Sequence, residues 1–191
     1  MANEVLRKQG DQICFCHLST FVPTVVDLTQ GSYTQVEMDL TSVAKDAAEE
    51  SDKVDLGARR PPAYCVRAVF EFASGAVAAG DTVSFYWNPS VNATAGSGNL
   101  AELTGADGPF APTPQTVAEA VAQLQFIGTM ILTEIDVTDT PTAQAGLVAS
   151  AFSPALRYGS LLIVLNSTTG AMHSDAIEAH IVFDPIIDEV Q

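Results

Sequence analysis

Alternation with a period of two constrains this chain more than any other feature. In residues 64–72 (YCVRAVFEF), Tyr64, Val66, Ala68, Phe70 and Phe72 fall on one side, with Arg67 and Glu71 on the other. Residues 176–183 (AIEAHIVF) repeat the pattern: Ile177, Ala179, Ile181 and Phe183 share one face, and Glu178, His180 and Val182 the other. In residues 34–40 (TQVEMDL), Val36, Met38 and Leu40 line up in the same way. Successive side chains of a strand point to opposite faces, so segments of this kind bury one face against a second layer. Residues 82–87 (TVSFYW), 123–132, 143–152 and 156–165 read as further strands, and Gly128 permits a bulge in 123–132. Strands 64–72 and 82–87 are expected to pair as a hairpin across the turn region at 75–81. No alternation of strand with helix occurs, which argues against a parallel α/β sheet. The expectation is a mainly β fold: an antiparallel two-sheet sandwich of jelly-roll or Greek-key type.

The connections are irregular. Residues 1–30 read as an N-terminal arm or extended segment, either tied to a neighbour or used as a strand of the same domain, with a single β-sandwich domain over 31–191. Residues 42–53 form either a short helix capped by Ser42 or a charged loop. Residues 90–115 are rich in Gly, Pro, Asn and Thr and read as one long loop, a candidate contact surface. One or two helical turns are expected over 116–124. Asp136, Asp139 and Pro141 mark a turn, as do residues 166–170 (NSTTG), and Pro185 is expected to stop the last strand.

Charge narrows the partners. Eight Lys and Arg against 23 Asp and Glu leave a formal charge of −15. Such a surface repels phosphate backbones and anionic lipid heads, so neither direct nucleic-acid binding nor membrane docking is expected. Basic protein surfaces and divalent cations suit it better. Seven of the eight basic residues lie in the first 67, an asymmetry that head-to-tail contact between copies would exploit. Residues 1–11 lack an apolar signal core, and the longest apolar runs are about half a membrane span, so neither signal peptide nor transmembrane helix is expected. Cys14, Cys16 and Cys65 are too few for a secreted disulfide framework and fit folding in a reducing cytoplasm.

The residue types of several chemistries are present without their patterns. Cys14, Cys16 and His17 lack the second pair that a closed zinc site needs. His173, Ser174 and Asp175 contain the residue types of a hydrolytic triad, but adjacent residues cannot face one another as a triad requires. Glu178 and His180, with His173, have metal-ligating side chains; on a solvated strand face they are simply polar residues. Asp46, Glu49, Glu50, Asp52 and Asp55 lack the calcium-loop pattern and read as a solvated charged face, as do Asp184, Asp188 and Glu189. Phe85, Tyr86 and Trp87 suggest a sugar-stacking platform, although Phe85 and Trp87 share a strand face and fit a core better. No phosphate-cradling loop occurs. No catalytic, cofactor-binding or metal-ligating residue is therefore assigned, and a building block is expected rather than an enzyme.

Four stretches carry a resemblance: GDTVSFYWNPS (80–90), QLQFIG (123–128), RYGSLLIVLN (157–166) and HSDAIEAHIVFDPIIDEVQ (173–191). Together with the opening MANEVLRKQGDQI, they resemble a group of small proteins encoded among the particle genes of tailed bacteriophages. The resemblance implies a virion component made in the host cytoplasm. Its simplest form is a capsid cement (decoration) protein on the outer shell, a dimer or trimer bound to the major capsid protein. The alternative within that resemblance is a tail, neck or fibre component with a receptor- or ring-binding role; apart from it stands a carbohydrate- or metal-dependent binding module or enzyme.

Overall fold

The computed structural model describes residues 5–9, 11–58, 60–136, 142–175 and 177–190. In chain order the elements are β1 (Val5–Gln9), β2 (Gln12–Cys16), β3 (Tyr33–Glu37), β4 (Ala48–Glu50), β5 (Val54–Asp55), β6 (Ala63–Phe72), β7 (Thr82–Ser90), β8 (Gly108–Phe110), α1 (Val117–Val121), β9 (Gln125–Ile131), β10 (Thr142–Phe152), β11 (Tyr158–Asn166) and β12 (His180–Val190). They form two six-stranded sheets. Sheet A has the order β10-β6-β12-β2-β3, with β1 also on β12, and sheet B has the order β8-β4-β11-β7-β9, with β5 also on β11. All described strand pairs are antiparallel except β2 with β3. The mainly β, two-sheet expectation is met.

The alternating residues make the core. Tyr64, Val66, Ala68, Phe70 and Phe72 of β6, with Ile181 and Phe183 of β12, face Val83, Phe85 and Trp87 of β7 and Leu161, Ile163 and Leu165 of β11. Aromatic rings join the layers: Phe70 lies 5.9 Å from Phe85, and Trp87 lies 5.9 Å from Phe183 and 6.3 Å from Phe152, centroid to centroid. Such pairs add to the large area each ring buries. Gly159 of β11 lets the indole of Trp87 lie against the backbone, since a Cβ there would stand 2.4 Å from the ring.

Two smaller clusters cover the outer faces of the sheets, so that β2, β11 and the first residues of β12 are buried on both sides. On the outside of sheet B, Leu162, Val164 and Ala48 lie under Ala101, Leu103, Phe110 and Ala120. On the outside of sheet A, Cys14, Cys16 and Val182 lie under Phe21 and Leu28 of the 17–32 connection. That connection joins the parallel pair β2–β3 and crosses the sheet face as a strap.

Several expectations are corrected. β6 and β7 are not a hairpin; they lie in different sheets. Residues 73–81 carry the chain from one layer to the other, so that Phe70 and Phe85 meet across the core rather than side by side. Residues 42–53 hold neither a helix nor a solvated loop but the buried strand β4, paired with β11 and β8. Pro185 does not end the last strand. β12 pairs with β2 over 181–183 and with β1 over 186–190, and Pro185 falls in the gap between those partners, where a missing N–H costs least. Of residues 1–30, β2 is an inner strand with all five residues buried. Asp139 and Pro141 lie outside the described residues, as do Met1 to Glu4.

Other expectations hold. β9 shifts register between Phe126 and Gly128, the bulge that Gly128 permits. Residues 117–121 form a one-turn helix whose capping box joins Thr116 and Glu119.

Candidate assembly surface

The two sheets meet along one seam. β9 is the edge of sheet B and β10 the edge of sheet A, and each has one backbone-paired neighbour among the described residues. Both strands are irregular where they approach. β10 shifts register at Leu147–Ala149 opposite the β9 bulge, and a Cβ on Gly128 would stand 2.3 Å from the carbonyl oxygen of Val148. Two glutamines hold the strands together beyond that point. Gln144 donates to the Thr133 carbonyl at 2.9 Å and accepts from the Thr133 amide at 2.8 Å. Gln125 donates to the Ser153 carbonyl at 2.7 Å and accepts from the Ala155 amide at 3.1 Å.

The outer side of this seam is apolar. Phe126 is 57% exposed, Ile131 73% and Leu147 60%. No charged side chain occurs anywhere in β9 or β10. Natural edge strands are blunted by Lys, Pro or a covering element, because an open edge templates pairing with another chain. Here the bulges twist the edge but leave the large apolar side chains uncovered.

The 90–115 loop is ordered by a buried polar network. Glu50, 2% exposed, accepts from the Thr104 amide at 2.9 Å, the Gly105 amide at 2.7 Å and the Ser160 hydroxyl at 2.8 Å. Asn88 donates to Ser160 at 3.1 Å and accepts from the Leu100 amide at 3.0 Å. Lys53 donates to Ser90 Oγ and to the carbonyls of Thr94 and Ser97 at 2.8–3.0 Å. Burial lowers the Lys53 ammonium below its ordinary value. Glu50 and Lys53 thus anchor a loop whose composition alone suggests none of this.

The strap over sheet A has its own anchors. Glu178 and His180 are both buried, not solvated. The Glu178 carboxylate accepts from the Thr24 amide at 2.6 Å and the Val25 amide at 3.1 Å, and from the Thr24 hydroxyl. Burial would raise its pKa, but these donors outweigh it and hold the group below the usual carboxylate range. His180 Nε2 accepts from the Leu28 amide at 3.1 Å, and its Nδ1 lies 2.7 Å from the Glu178 carbonyl oxygen, to which it donates. Burial lowers its pKa, in keeping with this neutral tautomer. Arg67 donates to Asp184 at 2.7 Å and to the Leu28 carbonyl at 3.1 Å, so Asp184 too is an internal partner.

The remaining candidates separate in space. Cys14 and Cys16 share a buried face under the strap, while His17 points away to within 3.9 Å of Glu37. Hydrogen bonding with Cys16, then burial, raises the Cys14 thiol above its ordinary value, and burial raises Cys65. His173 and Asp175 form a turn: His173 Nδ1 accepts from the Asp175 amide and Asp175 from the Ile177 amide. Trp87 and Phe85 are core residues, and Tyr86 packs on Phe126. Asp46, Asp52 and Asp55 are exposed as expected, but Glu49 is buried like Glu50. Burial, then the neighbouring Asp107 and Asp39, pushes the Glu49 carboxyl up to about 8. Among the described residues, no three His, Cys, Asp or Glu side chains stand at metal-ligand spacing.

No family model, no curated protein and no solved structure matches this chain.

Proposed function

We propose that the chain is a structural component of a tailed-phage particle, most simply a cement protein that seats on the outer lattice of major capsid protein. The observation that carries this reading is the uncharged β9–β10 seam with Phe126, Ile131 and Leu147 uncovered. A cement protein folds alone and then meets a lattice through edges and loops, and it needs a flat apolar contact more than a polar cleft. The anchored 90–115 loop adds a rigid second contact, because its order is already secured before binding. The acidic surface favours a basic lattice face and disfavours the packaged genome. The reading takes the two sheets as a jelly-roll or Greek-key variant, with the parallel β2–β3 pair as its departure. It takes the protein as a dimer or trimer without enzymatic activity, matching the symmetry of the shell it covers.

Purified protein added to empty shells of its own phage should co-sediment with them to saturation, at a stoichiometry set by shell symmetry. I131E and L147K, at the two most exposed of these side chains, should abolish co-sedimentation while leaving the thermal midpoint of the free protein unchanged. A handful of copies per particle, or density on the tail or neck instead of the shell, would reject the cement role.

A further inference from the structure

We propose that the strap over sheet A is an acid-released latch: proton uptake by His180 frees residues 20–30 and uncovers the outer face of β2 and β12 while the two-sheet core stays folded. This goes beyond the assembly role and does not depend on it.

The strap is held by side chains rather than by a ladder. Residues 17–32 contain no strand, and their amides turn to the outer face of sheet A. Those of Thr24 and Val25 go to the Glu178 carboxylate, that of Leu28 to His180, and that of Gln30 to Gln12 Oε1 at 2.6 Å. The Leu28 carbonyl accepts from Arg67 at 3.1 Å. Leu28 is thus gripped on both of its backbone groups, by His180 on the N–H and by Arg67 on the C=O.

His180 is the member of this set that a proton reverses. Its ring is fully buried, and each nitrogen is already committed: Nδ1 donates to the Glu178 carbonyl and Nε2 accepts from the Leu28 amide. A second proton has only Nε2 to occupy. There it turns an acceptor into a donor that faces another donor at 3.1 Å, and the Leu28 bond is lost. Phe21 of the strap lies against the same ring, centroids 5.0 Å apart, so the ring cannot turn aside while the strap is closed.

The charges that face this ring come from three elements. Asp27 on the strap and Glu178 just before β12 favour the imidazolium, and Arg67 on β6, itself paired with Asp184, opposes it. The outer face of β2 contributes no charge, only Gln12 and the thiols Cys14 and Cys16. Burial outweighs the two acids and keeps the ring neutral under the closed strap. In an opened strap the solvated ring titrates near its ordinary value of about 6.5. The closed form therefore binds fewer protons, and acid favours opening, from below about 6.5 down through the closed-form value.

Opening stays local because the strap buries little. Only Phe21 and Leu28 cover Cys14, Cys16 and Val182, whereas the central core is a separate and much larger cluster between the sheets. Val22 and Val25 of the strap are already exposed. Segments with few buried apolar contacts open at lower free energy than the core.

The covered thiols make the opening measurable. C65S leaves Cys14 and Cys16 as the chain's only thiols. Their reaction with dithiodipyridine, which stays reactive in acid, is followed from about pH 8 to about pH 5. Each rate is divided by that of the same variant unfolded in urea at the same pH. The normalised rate should rise about tenfold into acid, within a ceiling of about thirtyfold set by one proton and an open-form pKa of about 6.5. The emission of Trp87, the chain's one tryptophan and a core residue, should stay constant. H180Q offers an acceptor and a donor in place of the ring but does not titrate, so the acid rise should vanish, whatever the basal rate. A second measurement keeps the ring native: the NMR titration of His180 in C65S should follow the labelling curve. A flat rate down to about pH 5, a rise that survives in H180Q, a His180 titration off that curve, or a Trp87 shift accompanying the rise would each overturn the proposal.

Discussion

Gly159 offers the sharpest test of how the core is built. In most strands Gly to Ala is neutral or helpful, because alanine narrows the unfolded ensemble by about 0.4–1 kcal/mol. At Gly159 a Cβ would stand 2.4 and 2.5 Å from Cζ2 and Cε2 of Trp87 and 2.6 Å from the Asn88 carbonyl oxygen. An ordinary contact is close to 3.5 Å or more, so the ring or the strand must retreat by about 1 Å. Trp87 cannot retreat freely, since it is fully buried and packed on Phe152 and Phe183. Overpacking of this kind costs about 1–3 kcal/mol, and the stiff backbone neighbour puts G159A at the upper end. In a chain of this length, that lowers the melting temperature by roughly 5–10 °C. Equilibrium urea denaturation measures the free energy directly. W87F removes the indole atoms and orphans no acceptor, because Trp87 Nε1 has no hydrogen-bond partner among the described residues. The pair should therefore couple: G159A should cost about 1 kcal/mol less in the W87F background, with the Asn88 contact keeping the remainder. G146A is the control, since its Cβ would meet only the flexible end of Met130 at 3.2 Å, and it should change stability by about 0.5 kcal/mol or less. Wild-type stability in G159A, or strict additivity with W87F, would refute this account of the packing.

Other substitutions probe the strap and the seam. E178A leaves the Thr24 and Val25 amides without their acceptor and should cost about 2–3 kcal/mol. Hydrogen exchange should then speed up over residues 20–29 more than elsewhere. Because the folded pKa of His180 is depressed, its contribution is fully present above its ordinary value of about 6.5 and is lost as pH falls through the folded value. Denaturation midpoints should decline with acid below about 6.5 in the wild type and stay flatter in H180Q. G128V should be more damaging than G146V in chemical denaturation, since the backbone carbonyl of Val148 cannot yield as the Met130 side chain can.

Period-two patterning shows which residues face inward, and this is why the core positions of β6, β7 and β12 were legible in advance. It does not show which strands are neighbours. The β6–β7 hairpin reading failed because pairing depends on where residues 73–81 send the chain, and two mutually apolar faces fit across a sandwich as well as within one sheet. Nothing in one dimension shows what covers the outside of the sheets, even at Leu161–Leu165, which is apolar on both faces. Charge misled most. Glu49, Glu50, Glu178 and His180 resemble solvated residues in one dimension, because their partners or neighbours, Gly105, Asp107, Thr24 and Leu28, lie about 55 or 150 residues away. The seam at Phe126, Ile131 and Leu147 also became visible only when two edges from different sheets were brought together.

The placement of β12 has a consequence for synthesis. This strand follows every other described strand in sequence, yet lies between β6 and the pair formed by β1 and β2. Until residues 180–190 emerge from the ribosome, β1 and β2 lack their antiparallel partner, and Val182 and Phe183 are missing from the two apolar faces of β2. A nascent chain that has not yet reached residue 180 therefore carries exposed strands. Slowing translation just before residue 180 should lengthen that vulnerable interval, and chaperone occupancy should fall only once residues 180–190 are out.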